Sequence, residues 1–147
     1  MSFSGFSSGV EVIPTQFFEE LLPVIDTVAE LKVSLFALHL LNQFEGEHRY
    51  LIRSDFTDSK LFMTGLAERI EEAEFKLDDG LEKAVLRGTL LSVHYEETPM
   101  YFLNSPKGRI AVDELETGRW IPDAFIHLTG TVNVFRPNVF KIYEENI

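Results

Sequence analysis

The chain has 147 residues, 45% of them hydrophobic and 12% aromatic, which is enough to bury the core of a single domain. Its 24 acidic and 13 basic residues give a formal net charge of −11, and this excess of negative charge repels nucleic acids and anionic membranes at long range. The absence of cysteine excludes disulfides and thiolate metal sites and makes the reducing cytoplasm the expected compartment.

The N-terminal stretch, residues 1–13, is rich in serine and glycine and predicts a flexible arm. It has neither the basic region nor the apolar region of a secretion signal. The longest apolar stretch of the chain, VSLFALHLL, has about nine residues, whereas about 20 are needed to cross a bilayer. We therefore expect a soluble, cytoplasmic protein that does not contact a membrane.

A short helix is predicted to follow the arm, beginning after Thr15 and ending before Pro23. It carries four large apolar side chains and is too short to be stable alone, so it must pack against something. Either it folds back onto its own domain or it packs against a second chain. A C-terminal segment must likewise pack its apolar residues against something. The candidate protein-interface residues of the two segments are Phe17, Phe18, Leu21, Leu22, Val139, Phe140 and Tyr143.

A longer helix is predicted from Thr27, which forms a capping box with Glu30, and it continues through the apolar stretch to about Phe44. Apolar residues occupy most of its sides, which is typical of a helix that is packed on most sides. We expect it to be the central helix of the domain. The predicted apolar face contains Leu31, Leu35, Leu38 and Leu41, and Val33, Phe36 and Leu40 cover much of the rest of the helix.

The middle of the chain predicts a short strand around Arg49 to Arg53, and then a helix that opens at Asp55 or Asp58. Residues 66–76 carry an acidic, solvated helix face opposite an apolar one. A further helix is predicted to begin at Asp79, which can form a capping pair with Glu82, and to end at Gly88, where a left-handed backbone conformation is favourable.

Next comes a predicted hairpin, in which residues 89–95 alternate in polarity, EETP turns the chain, and residues 100–103 return. Asn104 or Ser105, followed by Pro106, opens a last helix that ends at Gly118. A helix that leads straight into an antiparallel hairpin is typical of the winged helix. We expect a mainly helical α+β fold over residues 14–134, a winged helix-turn-helix with a two-stranded wing and extra N- and C-terminal helices. The rival is an unrelated small α+β domain with the same hairpin.

The C-terminal residues 135–147 predict the start of a helix, because Val139, Tyr143 and Ile147 are spaced for one helix face. Pro137 suits a first turn, and no signal ends the helix. Either this end packs against the rest of the fold, or the chain is the front part of something longer.

The sequence contains no convincing catalytic, metal or cofactor motif. GFSSG, at residues 5–9, matches the nucleophile-elbow pattern, but the elbow requires a strand before it and only four residues precede Gly5. The aspartate pairs are better explained as helix caps than as an acid and a base. The four histidines lack metal-ligand spacing, and His39 is expected in the core or at its boundary. We therefore expect a protein that is not an enzyme and binds no cofactor.

A winged helix can bind DNA through the helix before the hairpin. The outward positions predicted for that helix carry Lys83 and Arg87, which would contact DNA if the protein were a transcriptional regulator. Glu96 and Glu97, at the predicted wing tip, would instead face and repel the DNA backbone. The charge pattern therefore favours a protein-interaction module over a regulator that binds DNA directly.

Four segments resemble the DnaD-like replication initiation proteins of bacteria. They are FFEELLPVIDTVAELKVSLFALHLL, LEKAVLRGTLL, YFLNSPKGR and RPNVFKIYEENI. The resemblance runs through most of the chain in the same order and is clearest at residues 87–91 and 143–147.

In that family a winged-helix N-terminal domain mediates self-association and contact with other initiation proteins, and a helical C-terminal domain contributes DNA binding. The resemblance implies that this chain is a non-enzymatic scaffold of the primosome, that its partners are further copies of itself and other replication initiation proteins, and that little or no nucleic acid binds it directly. It also implies that Ile147 marks the first turn of a second domain that the sequence does not contain.

Overall fold

The structure, a computed structural model, describes residues 2–122 and the backbone of two strands that follow them, Val134–Arg136 and Val139–Tyr143. The helices are α1 (Val28–Asn42), α2 (Arg53–Thr57), α3 (Lys60–Leu66), α4 (Ile70–Arg87) and α5 (Pro106–Glu116). The strands are β1 (Leu90–Tyr95), β2 (Thr98–Leu103), β3 (Val134–Arg136) and β4 (Val139–Tyr143). The predicted α+β class with a two-stranded antiparallel hairpin is confirmed.

Helix α1 begins as the sequence predicts, because the Thr27 hydroxyl accepts a hydrogen bond from the Glu30 backbone amide at 3.3 Å. Its buried stripe includes Leu38 and Leu41 of the predicted face and otherwise differs from it. Small residues, Ser34 and Ala37, are buried beside Val33, whereas Leu35 is exposed. Helix α4 packs along this stripe, and small side chains let the two backbones approach closely.

The same close approach explains why α4 is one continuous helix rather than the two that the sequence predicts. A Cβ atom added to Gly80, near the middle of α4, would lie 2.8 Å from the Ala29 carbonyl oxygen and 2.7 Å from Val33 Cγ2. The predicted cap at Asp79 is wrong: its carboxylate binds Lys83 one turn later, and that of Asp78 binds Arg53 of α2. Packing against α1 therefore outweighs the local helix-breaking signals.

Two short helices connect α1 to α4. The Asp55 carboxylate accepts a hydrogen bond from the Ile52 backbone amide at 2.7 Å. Asp55 therefore caps α2 as predicted, but it is the third residue of the helix and does not precede it. Asp58 lies at the C-terminal end of α2, and Ser59 precedes α3. Both helices place apolar side chains, Phe56 and Met63, in the core beneath α1 and α4.

The hairpin has the predicted position. Gly88 adopts φ 91° and ends α4 one residue before the chain extends into β1. Strands β1 and β2 pair in antiparallel register from Leu90 with Leu103 to Tyr95 with Thr98. The strand predicted around residues 49–53 is reduced to a bridge on the other edge of β2, in which Leu51 and Tyr101 exchange backbone hydrogen bonds of 2.9 and 2.8 Å.

The hairpin lies between two hydrophobic clusters. The first, here called the helix cluster, includes residues of α1, α3 and α4. Leu51 and Leu90, which lie in extended segments, also belong to it. The outer cluster, on the opposite face, packs Met100 and Phe102 against α5. The members of the outer cluster are Tyr50, Ile52, Met100, Phe102, Ala111 and Leu115, with Trp120 packed against it.

The N-terminal residues 2–13 form neither helix nor strand, but two hydrogen bonds connect them to α1. The Asn42 side-chain amide donates to the Val12 carbonyl at 3.0 Å, and Glu11 binds the His39 ring. His39 is therefore exposed on α1 and paired with the N-terminal segment, and it does not lie in the core.

The C-terminal helix expected over residues 135–147 is wrong where the structure describes that range. Strands β3 and β4 pair in antiparallel fashion, with Val134 opposite Tyr143. The segment Val139–Tyr143 contains β-branched and aromatic residues that suit a strand as well as a helix face, so spacing alone does not distinguish the two. The remaining residues of 135–147 lie outside the described part of the chain.

Candidate interaction surfaces

The first group of predicted interface residues lies on a π-helical segment, Phe17–Leu21, rather than on an α-helix. The Leu22 backbone amide donates to the Phe17 carbonyl, five residues earlier, at 2.7 Å. This segment turns its apolar residues in different directions. Phe17 is buried with 2% exposure, whereas Phe18 and Leu22 retain 51% and 41%. Leu21 is half-buried. Thus Phe17 stabilises the monomer, and Phe18 and Leu22 remain on the surface.

The second group consists of Val139, Phe140 and Tyr143, which lie on strand β4. Their side chains lie outside the described part of the structure. Their participation in an interface stays a prediction.

Arg87, a predicted DNA-contact residue, is bound to α1. Its Nε donates to Glu30 Oε2 at 2.6 Å and its Nη2 donates to Glu30 Oε1 at 2.9 Å, so the pair is bidentate. The Glu30 side chain has no exposed surface, and that of Arg87 is 27% exposed. The predicted capping box is therefore only half formed, because its carboxylate is directed to Arg87 instead of the Thr27 amide.

Lys83, the other predicted DNA-contact residue, makes an ion pair with Asp79 at 3.1 Å across one turn of α4. The ion pair is partly exposed and therefore contributes little stability. Glu82 and Leu86 are exposed on the same helix. The outward surface of this part of α4 thus presents acidic and apolar groups beside the paired Lys83, and Lys76, nearer the start of the helix, is likewise paired, with Glu72 at 3.5 Å.

The tip of the hairpin is acidic and has an unusual backbone. Glu96 and Glu97 form a two-residue loop between the paired residues Tyr95 and Thr98, with φ values of 52° and 69°. Both glutamates are exposed. Two-residue hairpin loops favour the sequence Asn-Gly, because most amino acids that carry a side chain disfavour a positive φ. The hairpin therefore ends in two negative charges on a backbone that glycine would suit better.

A cleft of about 560 Å³ lies between the π-helical segment, α1, the junction of α4 with β1, and the junction of β2 with α5. Its apolar lining residues are Pro14, Phe17, Leu21, Leu38, Leu103 and Pro106. Asn104, Ser105 and Arg109 are the polar residues at the start of α5 that border it. Sequence reasoning missed this cleft, because its walls come from segments far apart in the chain and only the start signal of α5 is visible locally.

A shallower apolar groove lies between α1 and α3. The rings of Phe36 and Phe62 stack there with centroids 4.2 Å apart, and Leu35 and Leu61 form its exposed edges. Lys32, at its end, donates to the Gly65 carbonyl at 2.7 Å.

Neither a metal site nor a membrane span is found in the part of the chain that the structure describes. Within it no three histidine, aspartate or glutamate side chains are grouped so that they could hold a metal ion. No described helix is long and apolar enough to cross a bilayer. Comparisons with protein-family models, curated proteins and solved structures found no match to this chain. A functional proposal must therefore rest on the chain's own residues.

Proposed function

We propose that the chain is a non-enzymatic winged-helix module that self-associates and binds other proteins during the initiation of bacterial DNA replication. The resemblance to DnaD-like proteins motivates the biological setting. The residues described above support a protein-binding surface in preference to a DNA-binding one.

The order of elements supports the winged-helix assignment. Helices α1, α3 and α4 precede the hairpin, and the bridge between Leu51 and Tyr101 adds a third extended segment beside β2. In this arrangement α4 corresponds to the recognition helix and the tip at Glu96 and Glu97 to the wing.

One observation carries the preference for protein partners: the cations that a winged helix would direct to DNA are already paired. Arg87 is bound by the buried carboxylate of Glu30, and Lys83 by Asp79. The wing tip adds two exposed carboxylates. Binding to a phosphate backbone would require these pairs to open and the acidic tip to approach like charge, and both changes cost free energy.

Exposed apolar side chains near the N-terminus support self-association. Phe18 and Leu22, four residues apart, are both substantially exposed, and Val24 is 51% exposed shortly after them. A second copy that covers this apolar patch, defined by Phe18, Leu22 and Val24, would remove these groups from water. A symmetric interface built around it would bury about 1,200 to 2,000 Å² in total.

DNA binding is tested by titrating the protein against labelled random and origin-like duplexes at low and moderate salt. We expect no sub-micromolar binding. Reversing the tip charges in a Glu96→Lys/Glu97→Lys variant should produce weak binding that falls with salt, because the wing would then offer two cations to the phosphates. Tight, steeply salt-dependent binding by the unmodified protein would instead establish the DNA-binding regulator.

Self-association is tested by light scattering at tens of micromolar protein. We expect an oligomer that Phe18→Glu dissociates while the circular dichroism spectrum is retained. Phe75→Glu is the matched control, because Phe75 is 71% exposed on α4 and lies outside the apolar patch. A monomeric unmodified protein would refute self-association, and unfolding of Phe18→Glu would place Phe18 in the core of the monomer.

A further inference from the structure

We infer that the cleft at the start of α5 is a docking site for a short acidic peptide that carries an aromatic anchor residue. The inference rests on the proposed protein-binding role and names the chemistry of a partner. It concerns a different surface from the apolar patch, so it can be tested separately from self-association.

The floor of the cleft is apolar and its size suits a side chain. Phe17, Leu38 and Leu103 line it, and its volume of about 560 Å³ falls within the range of about 300 to 1,000 Å³ that is typical of ligand pockets. An aromatic residue buried there would remove apolar surface from water on both partners.

Basic side chains surround the start of α5. Arg109 borders the cleft, and a smaller adjoining cleft, which shares Leu38 and Leu103 with it, is lined by Arg49 and Lys107. In residues 2–122 none of these three cations makes an ion pair with a carboxylate. Arg109 Nη1 donates instead to the neutral Asn104 side chain at 2.9 Å.

The backbone adds positive potential at the same place. Ser105 caps α5 by accepting a hydrogen bond from the Gly108 amide at 3.1 Å, so the positive end of the helix dipole lies among these cations. Among the side chains that the structure describes, Glu47, in the smaller cleft, is the one carboxylate that lines either of the two. In a chain of net charge −11, this local excess of cations attracts an anionic partner.

The neighbouring wall argues for a short peptide over nucleic acid. The π-helical segment that contributes Phe17 and Leu21 to the cleft also carries Glu19 and Glu20, both exposed. A duplex carries a phosphate on every nucleotide, so any of its phosphates that met this segment would face like charge. A peptide with a few acidic residues can place them on the basic side and its aromatic residue on the apolar floor.

The test uses fluorescence anisotropy with a labelled peptide in which aspartates flank two phenylalanines. We expect micromolar binding that weakens at least about tenfold when alanines replace the phenylalanines or lysines replace the aspartates. The Arg109→Glu and Lys107→Glu variants should each lose about tenfold in affinity. Lys60→Glu, at the start of α3, removes an exposed cation elsewhere and should bind as the unmodified protein does.

Three results would overturn the inference: no binding of the acidic peptide, equal binding by Arg109→Glu and the unmodified protein, or tighter binding of a single-stranded oligonucleotide that competes with the peptide. Each variant is first checked by circular dichroism for an unchanged fold. Light scattering on the same samples separates the two proposals, because loss of peptide binding with an intact oligomer refutes only the docking site.

Discussion

Glu30 and Arg87 join the first turn of α1 to the last turn of α4 through two hydrogen bonds of 2.6 and 2.9 Å. The carboxylate is completely buried, and the guanidinium is its bidentate partner. Hydrogen bonding to Glu30 raises the pKa of Arg87 above its ordinary value despite the opposing effect of burial, so the cation persists wherever the protein is folded. The pair fixes the relative position of the two longest helices in residues 2–122.

Removing only the cation should destabilise the protein more than replacing both partners. Arg87→Met leaves a buried carboxylate without a partner, whereas Glu30→Gln/Arg87→Met leaves two neutral side chains of similar shape. We expect the midpoint of urea unfolding to fall in the single variant and to recover substantially in the double variant. The single variant Glu30→Gln completes the cycle, and a double variant whose loss equals the sum of the losses in Glu30→Gln and Arg87→Met would show that the pair contributes no coupling energy.

Gly80→Ala should destabilise the fold even though alanine favours helices. The added methyl would meet the Ala29 carbonyl oxygen and Val33 at less than 3 Å, and moving the α1 backbone away should cost about 1 to 3 kcal/mol. Gly65→Ala is the matched control, because Gly65 lies in α3 with no atom within 4 Å of its added Cβ. There we expect stabilisation of about 0.5 to 1 kcal/mol. Chemical unfolding measures both, and equal effects would contradict the close crossing.

The wing tip should gain stability from residues that accept positive φ. We expect Glu96→Asn/Glu97→Gly to stabilise the protein by about 1 to 2 kcal/mol, by relieving the backbone at φ 52° and 69°. Glu97→Ala separates the two causes, because it removes a charge and leaves the backbone conformation unfavourable. Thermal unfolding of the single variants Glu97→Ala and Glu97→Gly, beside the double variant and the unmodified protein, decides the matter: equal gains for Glu97→Ala and Glu97→Gly would attribute the effect to charge.

Alkaline pH should unfold the protein partly through Tyr101. Burial, and then the negative charge of Asp78, raise the pKa of its phenol above the ordinary value of 10.0. Above about pH 10 the unfolded state releases a proton that the folded state retains, so stability falls as the pH rises further. We expect thermal midpoints to drop over this window and to drop less steeply in Tyr101→Phe. Identical pH profiles would show that other groups control alkaline unfolding.

The hairpin and the helix ends that border it, the end of α4 and the start of α5, were predictable because their signals are local. Gly88 ends α4, and alternating polarity marks β1. The Ser105-Pro106 pair opens α5 through the Ser105 hydroxyl and the fixed φ of proline. Each depends on residues within one or two turns of the boundary, so sequence reasoning placed them correctly.

The features that sequence reasoning missed depend on distant contacts. The Glu30–Arg87 pair spans 57 positions, and a local capping box offered a competing use for the same carboxylate. The Asp78-Asp79-Gly80 stretch predicts a helix boundary locally, but the approach of α1 keeps α4 continuous. The residues that line the cleft at α5 come from four separate stretches of the chain, so no single stretch of sequence indicates it.

The hairpin shared by two clusters has a consequence for cooperativity. In the segment that is bridged to β2, Tyr50 and Ile52 belong to the outer cluster. Leu51, between them, belongs to the helix cluster. Opening either cluster exposes one face of the strands that both clusters share. Neither cluster can therefore unfold on its own while the other stays intact. Amide protons of β1 and β2 that are hydrogen-bonded between strands should therefore exchange with solvent only when the whole fold opens, at a rate set by global stability.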